Sequence, residues 1–377
     1  MRIGIHAHLL HSGESYRNAG ISQYIRYLLT ALQTEAHDHE LIAFVNSGFS
    51  EPGLLPNTRI IQSRAPGESA WRRMLFEQMS LPLLTARLRL DVLHGTAFAL
   101  PIAGTCPGVV SVMDVGFLRF SDKHLSANRR YLTAISKASA RRAKRIIGIS
   151  KATAEDCISL LGAPRDRVRI VYCGVDHEIY RPQPAADVAA FRTAKGLPDR
   201  FALFVGTLEP RKNLWSLLRA FSKARKNGLE QDLVVVGGAG WLFEDMLRRV
   251  RDEGLDDGVR FVGYASTDEM SLWYAAAEYF VYPSLLEGFG LPVAEAMACG
   301  TPVITSNVSS LPEVGGDAVE YVTPTDVEDI ATRLSEVGGD ADKRSRMRCA
   351  GLDRASGFRW DEAARQTLAV YEEARAL

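Results

Sequence analysis

The chain has 377 residues, 46% of them hydrophobic and 24% charged, and its formal net charge is zero. At roughly 150 residues per domain this is the composition of an ordinary soluble enzyme with two domains, each able to bury its own core. The five cysteines, Cys106, Cys157, Cys173, Cys299 and Cys349, are scattered without a CxxC pair or a nearby histidine cluster, which argues against a disulfide framework or a zinc site and suits a reducing cytoplasm.

The N-terminus, MRIGIHAHLL, lacks the apolar run and small-residue cleavage site of a signal peptide and reads as a first buried strand. No later stretch approaches the ~18 apolar residues of a membrane span. Further strands are expected at Glu40–Val45, Thr58–Gln62, Val92–Gly95, Gly108–Met113, Arg145–Ile149 and Arg169–Val171, after a first at Arg2–Ala7. Helices such as Ile21–Leu32 and Ser126–Ala143 fit between them, and that alternation predicts a parallel sheet covered on both faces. His6, His8 and His11 match no metal-binding spacing and read as strand and loop residues. The NAGI segment, Asn18–Ile21, follows the first strand; its Gly20 either lets backbone approach a phosphate or sugar or simply starts a helix.

Charge is unevenly spread. Residues 1–185 carry 23 Lys+Arg and 15 Asp+Glu, a net of +8, and the remainder carries −8. Between Lys123 and Lys151 lie nine basic residues and no acid. Such a block is either a solvated helix face or a surface for a phosphorylated acceptor or anionic lipid. Nucleic acid is disfavoured, because the block holds a single aromatic, Tyr131, and the whole chain is balanced.

Two prolines in Tyr180–Ala186 suggest a linker, after which the βα pattern restarts. Strands are expected at Phe201–Val205, Leu233–Val236, Val259–Phe261, Tyr279–Tyr282 and Pro302–Thr305. The helices between and after them are Asn213–Lys226, Leu242–Asp252, Asp268–Ala276, Pro292–Cys299 and Val327–Val337, with a last helix at Trp360–Ala376. Two such sheets imply a ligand-binding cleft between domains. Gly237, Gly238 and Gly240 follow a strand but are spaced wrongly for a dinucleotide fingerprint, so a nicotinamide cofactor is not expected.

The densest segment is Tyr282–Asn307, YPSLLEGFGLPVAEAMACGTPVITSN. A buried strand runs into a loop with Gly288 and Gly290, Pro292 opens a helix and Gly300 closes it. The N–H groups at that helix start suit a phosphate. Glu287 in the loop and Glu295 in the first turns are separated by seven residues, so both can face one crevice, some distance apart; an acid in a helix's first turn is also a common structural choice. In Phe201–Asn213, FALFVGTLEPRKN, a turn at Gly206 brings Arg211 and Lys212 to the loop after a strand, where cations suit a diphosphate.

The E-x7-E segment from Glu287 to Glu295, together with GTLEPRKN at Gly206–Asn213, resembles the retaining GT-B glycosyltransferases of family 4. The likeness extends to Asp91-VLHG, Ile149-SKATAED, Tyr172-CGVD and the terminal Trp360-DEAARQTLAVYEEA. It implies an α/β fold of two Rossmann-like, doubly wound domains facing each other across a cleft. The domains would be an acceptor-side one at 1–183, with helix 360–377 packed back on it, and a nucleotide-sugar-binding one at 184–359. It implies that Lys212 and Arg211 hold the donor diphosphate, with Gly206, Thr207 and Gly20 beside it. Glu295 would bond the ribose, and Gly263 and Tyr264 would flank the base. Glu287, with backbone N–H groups of Phe289, Gly290 and Leu291, would hold the transferred sugar. Many relatives carry His-Asp where this chain has Met113-Asp114, and an Arg at Thr207; Asp114 remains a candidate catalytic residue beside a structural role.

The resemblance implies hexosyl transfer from a nucleotide-sugar without metal or other cofactor, with GDP-mannose favoured over UDP-glucose. The acceptor would be a glycan, a small molecule or an anionic or lipid-linked compound, reached in the cytoplasm or at the inner membrane face. The alternatives are a nucleotide-sugar-binding protein without transferase activity and an epimerase or phosphorylase of the same fold.

Overall fold

The computed structural model describes residues 1–12, 20–51, 53–64, 70–119, 126–238 and 243–377. Asn18, Ala19, Lys123, Gly240 and Leu242, noted in the sequence, lie outside that set. The described chain divides into two compact units, Met1–Gly174 with Arg359–Leu377, and Val175–Phe358.

The first unit is built on a parallel seven-stranded sheet. Its strands are β1 (Arg2–His6), β2 (Glu40–Val45), β3 (Thr58–Gln62), β4 (Val92–Gly95), β5 (Gly108–Val112), β6 (Arg145–Gly148) and β7 (Val168–Ile170), in the order β3-β2-β1-β4-β5-β6-β7. Ile3, Ile5, Val92, Val109 and Ile146 are all but fully buried, as continuous apolar strands covered on both faces must be. The direction of winding reverses between β1 and β4, and ligand crevices of doubly wound sheets form at the carboxyl ends of such strands.

The terminal helix, Trp360–Arg375, packs on this sheet. The Tyr371 hydroxyl lies 2.6 Å from His94 Nδ1, and His94 Nε2 lies 2.7 Å from the Ser111 hydroxyl. Burial lowers the His94 pKa to about 3, so the ring stays neutral and serves as a hydrogen-bond hub. Trp360 stacks on Tyr27 and meets Tyr24 edge-on, and Glu373 pairs with Arg145 and Arg169.

One helical run in this unit escaped the sequence reading. Residues Ala70–Leu75 are α-helical, Phe76–Ser80 form a π turn, and Leu81–Leu88 continue as α-helix. Pro82 lies inside the run and reads as a breaker. The π turn accommodates it: Leu81 N–H donates to the Phe76 carbonyl, five residues back, just before the proline.

The second unit holds a parallel six-stranded sheet. Its strands are β8 (Phe201–Val205), β9 (Asp232–Val236), β10 (Val259–Gly263), β11 (Tyr279–Tyr282), β12 (Val303–Ser306) and β13 (Glu320–Val322), in the order β10-β9-β8-β11-β12-β13. Here the switch point lies between β8 and β11. The segment Tyr180–Ala186, expected as a linker, runs into a helix at Ala185–Lys195 that starts directly after Pro184, a position where proline suits a helix start. Gly237 has a packing role: a Cβ there would sit 1.9 Å from the Gly206 carbonyl oxygen, so only glycine lets the ends of β8 and β9 approach.

Candidate active site

The loops after β8 and β11 meet at the switch point of the second sheet. After β8 a 3-10 turn, Pro210–Lys212, leads into the helix Leu214–Lys226. Asn213 at the junction has φ 60°, and its amide donates to the carbonyls of Pro283 and Pro324. The Arg211 carbonyl accepts from Leu285 N–H and from the Ser284 hydroxyl. These bonds clamp the two loops together and aim consecutive cations at the residues following β11.

Lys212 is 8% exposed, and its Nζ donates to Glu287 Oε1 at 2.7 Å and to the Tyr282 hydroxyl at 2.6 Å. Glu287 is 7% exposed. Its Oε1 also accepts from Tyr282 (2.9 Å) and Ser284 (2.7 Å), and its Oε2 from Arg211 (3.3 Å). Arg211 pairs on its other side with Glu209. Burial alone would raise the Glu287 carboxyl, but Lys212 and then Arg211 hold it at about 2. The site therefore carries a permanent carboxylate held among two cations and two hydroxyls. Burial pulls the Lys212 pKa down, with Glu287 opposing.

The Glu287–Gly290 loop is fastened from the other side by two serines the sequence reading did not single out. Glu287 N–H donates to the Ser309 hydroxyl, and the Ser310 hydroxyl donates to the carbonyls of Glu287 and Phe289. Phe289 is buried edge-on to Phe358. Gly290, at φ 107°, caps the helix Leu291–Ala298, and a Cβ there would lie 2.8 Å from Leu311 Cδ2. Both facts require glycine.

Glu295, on that helix, stands apart from the Lys212–Glu287 cluster. Its Oε2 accepts from the Tyr274 hydroxyl at 3.1 Å. Burial pushes its pKa up to about 7, against the hydroxyls of Tyr274 and Tyr180. The E-x7-E spacing thus carries two carboxyls of opposite character, one ionised and one poised near neutrality. At the ends of β8 and β10, Gly206 and Thr207 are half-buried, Gly263 has φ 88°, and Tyr264 is 44% exposed.

In the first unit Gly20 precedes the helix Ile21–Glu35 at φ 58°, and among the described residues no atom lies within 4 Å of where a Cβ would be. Asp114, after β5, accepts from Gly116 N–H at 2.8 Å and so supports the short helix Gly116–Arg119. A pocket of about 40 Å³ lies at the carboxyl ends of β1 and β4, lined in part by His6, His8, Arg73, Glu77, Thr96 and Tyr131. His6 Nε2 lies 3.3 Å from His8 Nδ1 and 3.8 Å from Glu77, which also faces Arg73 at 3.4 Å. Burial pushes the Glu77 carboxyl up to about 7, with Arg73 opposing. Burial, then His8 and Arg73, lowers the His6 pKa. The Tyr131 hydroxyl is buried and faces the Glu77 carboxyl. Glu77, Arg73 and Tyr131 were invisible as a group in sequence, because the helical run carrying two of them was not recognised.

The basic block is partly consumed by the fold. Arg129 donates to the Phe117 carbonyl, Arg142 to the carbonyls of Gly104 and Cys106, and Arg145 pairs with Glu373. Arg130, Arg141 and Lys151 are exposed.

Comparison with known proteins gives the family. The family described as Glycosyl transferases group 1 matches residues 187–354, and Glycosyltransferase Family 4 matches residues 18–179. O-antigen chain mannosyltransferase B of Escherichia coli is 32% identical over 283 residues, covering 74% of this chain and 74% of that protein. The chain belongs to the group 1 glycosyltransferases.

This glycosyltransferase is also 37% identical over 241 residues to a D-inositol 3-phosphate glycosyltransferase of Nocardioides, a match spanning 59% of this chain and 52% of that protein. Its fold matches sucrose-phosphate synthase of Thermosynechococcus elongatus with a TM-score of 0.82 at 22% identity, covering 100% and 99% of the two chains. The lipopolysaccharide glycosyltransferase WaaG gives 0.73 at 16% identity, covering 97% and 98%. The two parallel sheets of this glycosyltransferase are those of the GT-B fold, and its Lys212–Glu287 cluster lies within the part matched by the group 1 family.

Proposed function

We propose that this chain is a retaining, metal-independent hexosyltransferase that moves mannose from GDP-mannose to a phosphorylated, glycan or lipid-linked acceptor at the cytoplasmic face of a membrane. The observation that carries the reading is the buried Lys212–Glu287 pair, with Arg211 beside it, at the switch point of the second sheet. The choice of mannose rests on the likeness to an O-antigen mannosyltransferase. The phosphorylated acceptor rests on the likeness to inositol 3-phosphate glycosyltransferases and on the basic segment 123–151.

In this reading Arg211 and Lys212 stabilise the charge that builds on the diphosphate as the sugar leaves. Being held by Glu209, Glu287 and backbone, they do so with little reorganisation, which is the basis of electrostatic catalysis. The N-terminus of the helix Leu291–Ala298 adds N–H groups of the same sense. Glu287, ionised throughout the neutral range, accepts hydroxyls of the transferred sugar and balances its developing positive charge. With three hydrogen bonds already on Oε1 and Arg211 on Oε2, it acts through its field rather than as nucleophile or proton shuttle. The departing phosphate receives the acceptor proton, the acceptor attacks from the face the phosphate leaves, and configuration is retained. Glu295 holds the ribose hydroxyls, Gly206 and Thr207 lie along the diphosphate, and Gly263 and Tyr264 flank the base. Asp114 positions its loop. The pocket of Glu77, His6 and Tyr131 takes an acceptor hydroxyl.

The test is acceptor-dependent release of GDP from GDP-mannose in the presence of EDTA, with the product's anomeric configuration read by NMR. An α-mannoside from the α-donor at undiminished rate is expected. A β-product would overturn retention, and loss of turnover in EDTA would overturn metal independence. Donor binding without turnover on any acceptor would favour the non-catalytic alternative.

A further inference from the structure

The helical run 70–88 turns two different faces to its surroundings. Inward it buries Phe76, Glu77, Leu81 and Thr85. Outward it presents Trp71 (64% exposed), Leu75 (44%), Met79 (67%) and Leu83 (73%). These side chains recur at four-residue intervals. On a straight α-helix a four-residue step advances about 400°, so such a row would drift by roughly 40° per step. The π turn at Phe76–Ser80 is wider than an α turn and takes back part of that drift, which keeps the row on one side.

Ile102, 59% exposed, joins the same face. Its N–H donates to Gln78 Oε1, and Gln78 Nε2 donates to the Leu100 carbonyl. Five of the nine large hydrophobic side chains exposed among the described residues therefore cluster here, so this is a patch and not the usual scatter of single apolar residues.

The exposed charges of the run itself and of Arg89 directly after it have one sign. Arg72, Arg87 and Arg89 are exposed on the run and directly after it, and its only acid, Glu77, is buried. Pro82 lies beside Gly104, which also contacts Arg142 of the helix Ser126–Arg142, whose Arg130 and Arg141 are exposed. An apolar row with a cationic border suits a lipid interface, where the apolar side chains enter the boundary between headgroups and acyl chains and the guanidinium groups stay among phosphates. A second copy of the chain on the same patch would set these arginines against each other.

We propose that this face, Trp71–Leu75–Met79–Leu83 with Ile102, docks the first unit on an anionic bilayer. The proposal rests on the membrane-surface acceptor of the reading above and assigns the contact to a defined apolar row instead of to charge alone. Docking would place the inward side of the same helical run, with Arg73 and Glu77, beside the membrane that holds the acceptor.

The experiment is cosedimentation of the full chain with phosphatidylcholine vesicles, with and without phosphatidylglycerol. The wild type is expected to bind the anionic vesicles. Met79→Asp/Leu83→Asp should weaken that binding by about tenfold or more, and Arg87→Glu/Arg89→Glu should weaken it in a salt-dependent way. Unchanged circular dichroism and unchanged GDP titration would show that the variants are folded. Binding of Met79→Asp/Leu83→Asp equal to wild type would overturn the proposal, as would wild-type protein that ignores anionic vesicles. A wild-type dimer that Met79→Asp/Leu83→Asp dissociates would give the face to a second copy and overturn it too. Sugar transfer to a soluble acceptor without vesicle binding would remove the docking proposal alone; vesicle binding without binding of GDP, UDP, ADP or dTDP would remove the transferase reading alone.

Discussion

Glu287→Gln separates field from framework. In the wild type, Arg211 and Lys212 face Glu209 and Glu287, so two cations meet two anions. The amide oxygen of the substituted side chain can keep the three hydrogen bonds now made to Oε1. Its NH2 would then replace Oε2 and turn a donor toward Arg211, losing that bond. The local charge rises by one, so affinity for GDP should stay the same or tighten by up to about tenfold, since an anion near the diphosphate has been removed. Turnover should fall by about 10²–10³, the usual cost of losing one fixed charge-stabilising group. Calorimetry with GDP and initial rates with GDP-mannose give the two numbers, and circular dichroism checks folding. Equal losses in affinity and turnover would refute the reasoning, because they would make Glu287 a scaffold of the phosphate site and not a group acting on the sugar.

Three further outcomes are expected. Lys212→Ala should weaken GDP binding by about tenfold or more while leaving guanosine binding unchanged; unchanged affinity for both would remove Lys212 from the phosphate site. Glu295 is held at about 7, and hydroxyl donors favour its ionised form, so GDP affinity should rise about tenfold from pH 6 to pH 8 with proton release. Glu295→Gln should flatten the part of that profile that the nucleotide's own phosphate does not supply; an identical slope in the variant would sink the assignment. Gly290→Ala forces a Cβ onto a φ of 107° and into Leu311, so the thermal midpoint should drop by an amount matching about 1–3 kcal/mol; an unchanged midpoint would mean the loop has another conformation within reach.

The site's core was legible because its residue types are forced by position. A strand of buried aromatics ending at Tyr282, then Gly288 and Gly290, then a proline-opened helix leaves few conformations for Glu287. Arg211 and Lys212 stand where the preceding strand delivers them. Ser309, Ser310 and Asn213 were not legible, because their value lies in backbone groups far away in sequence, an N–H for Ser309 and carbonyls for Ser310 and Asn213. The opposite character of Glu287 and Glu295 was equally hidden: spacing puts both at one crevice, some distance apart, but only the packed structure shows cations around the first and tyrosines around the second. Most strands were readable as short buried runs, whereas Glu320–Val322 is too short and polar to stand out. The run 70–88 was obscured by Pro82 and by apolar residues on both its faces. Gly237 shows the converse case, a glycine whose place is set by strand packing, since a Cβ there would meet the Gly206 carbonyl oxygen.

The central claim is that the loops after β8 and β11 form a nucleoside-diphosphate site that works without metal. Calorimetric titration of the wild-type chain with GDP, UDP, ADP and dTDP in EDTA tests it most directly. Tight binding of GDP, abolished or sharply weakened in Lys212→Ala, is the predicted result. Binding of none of the four, in folded protein, would contradict the account at its centre.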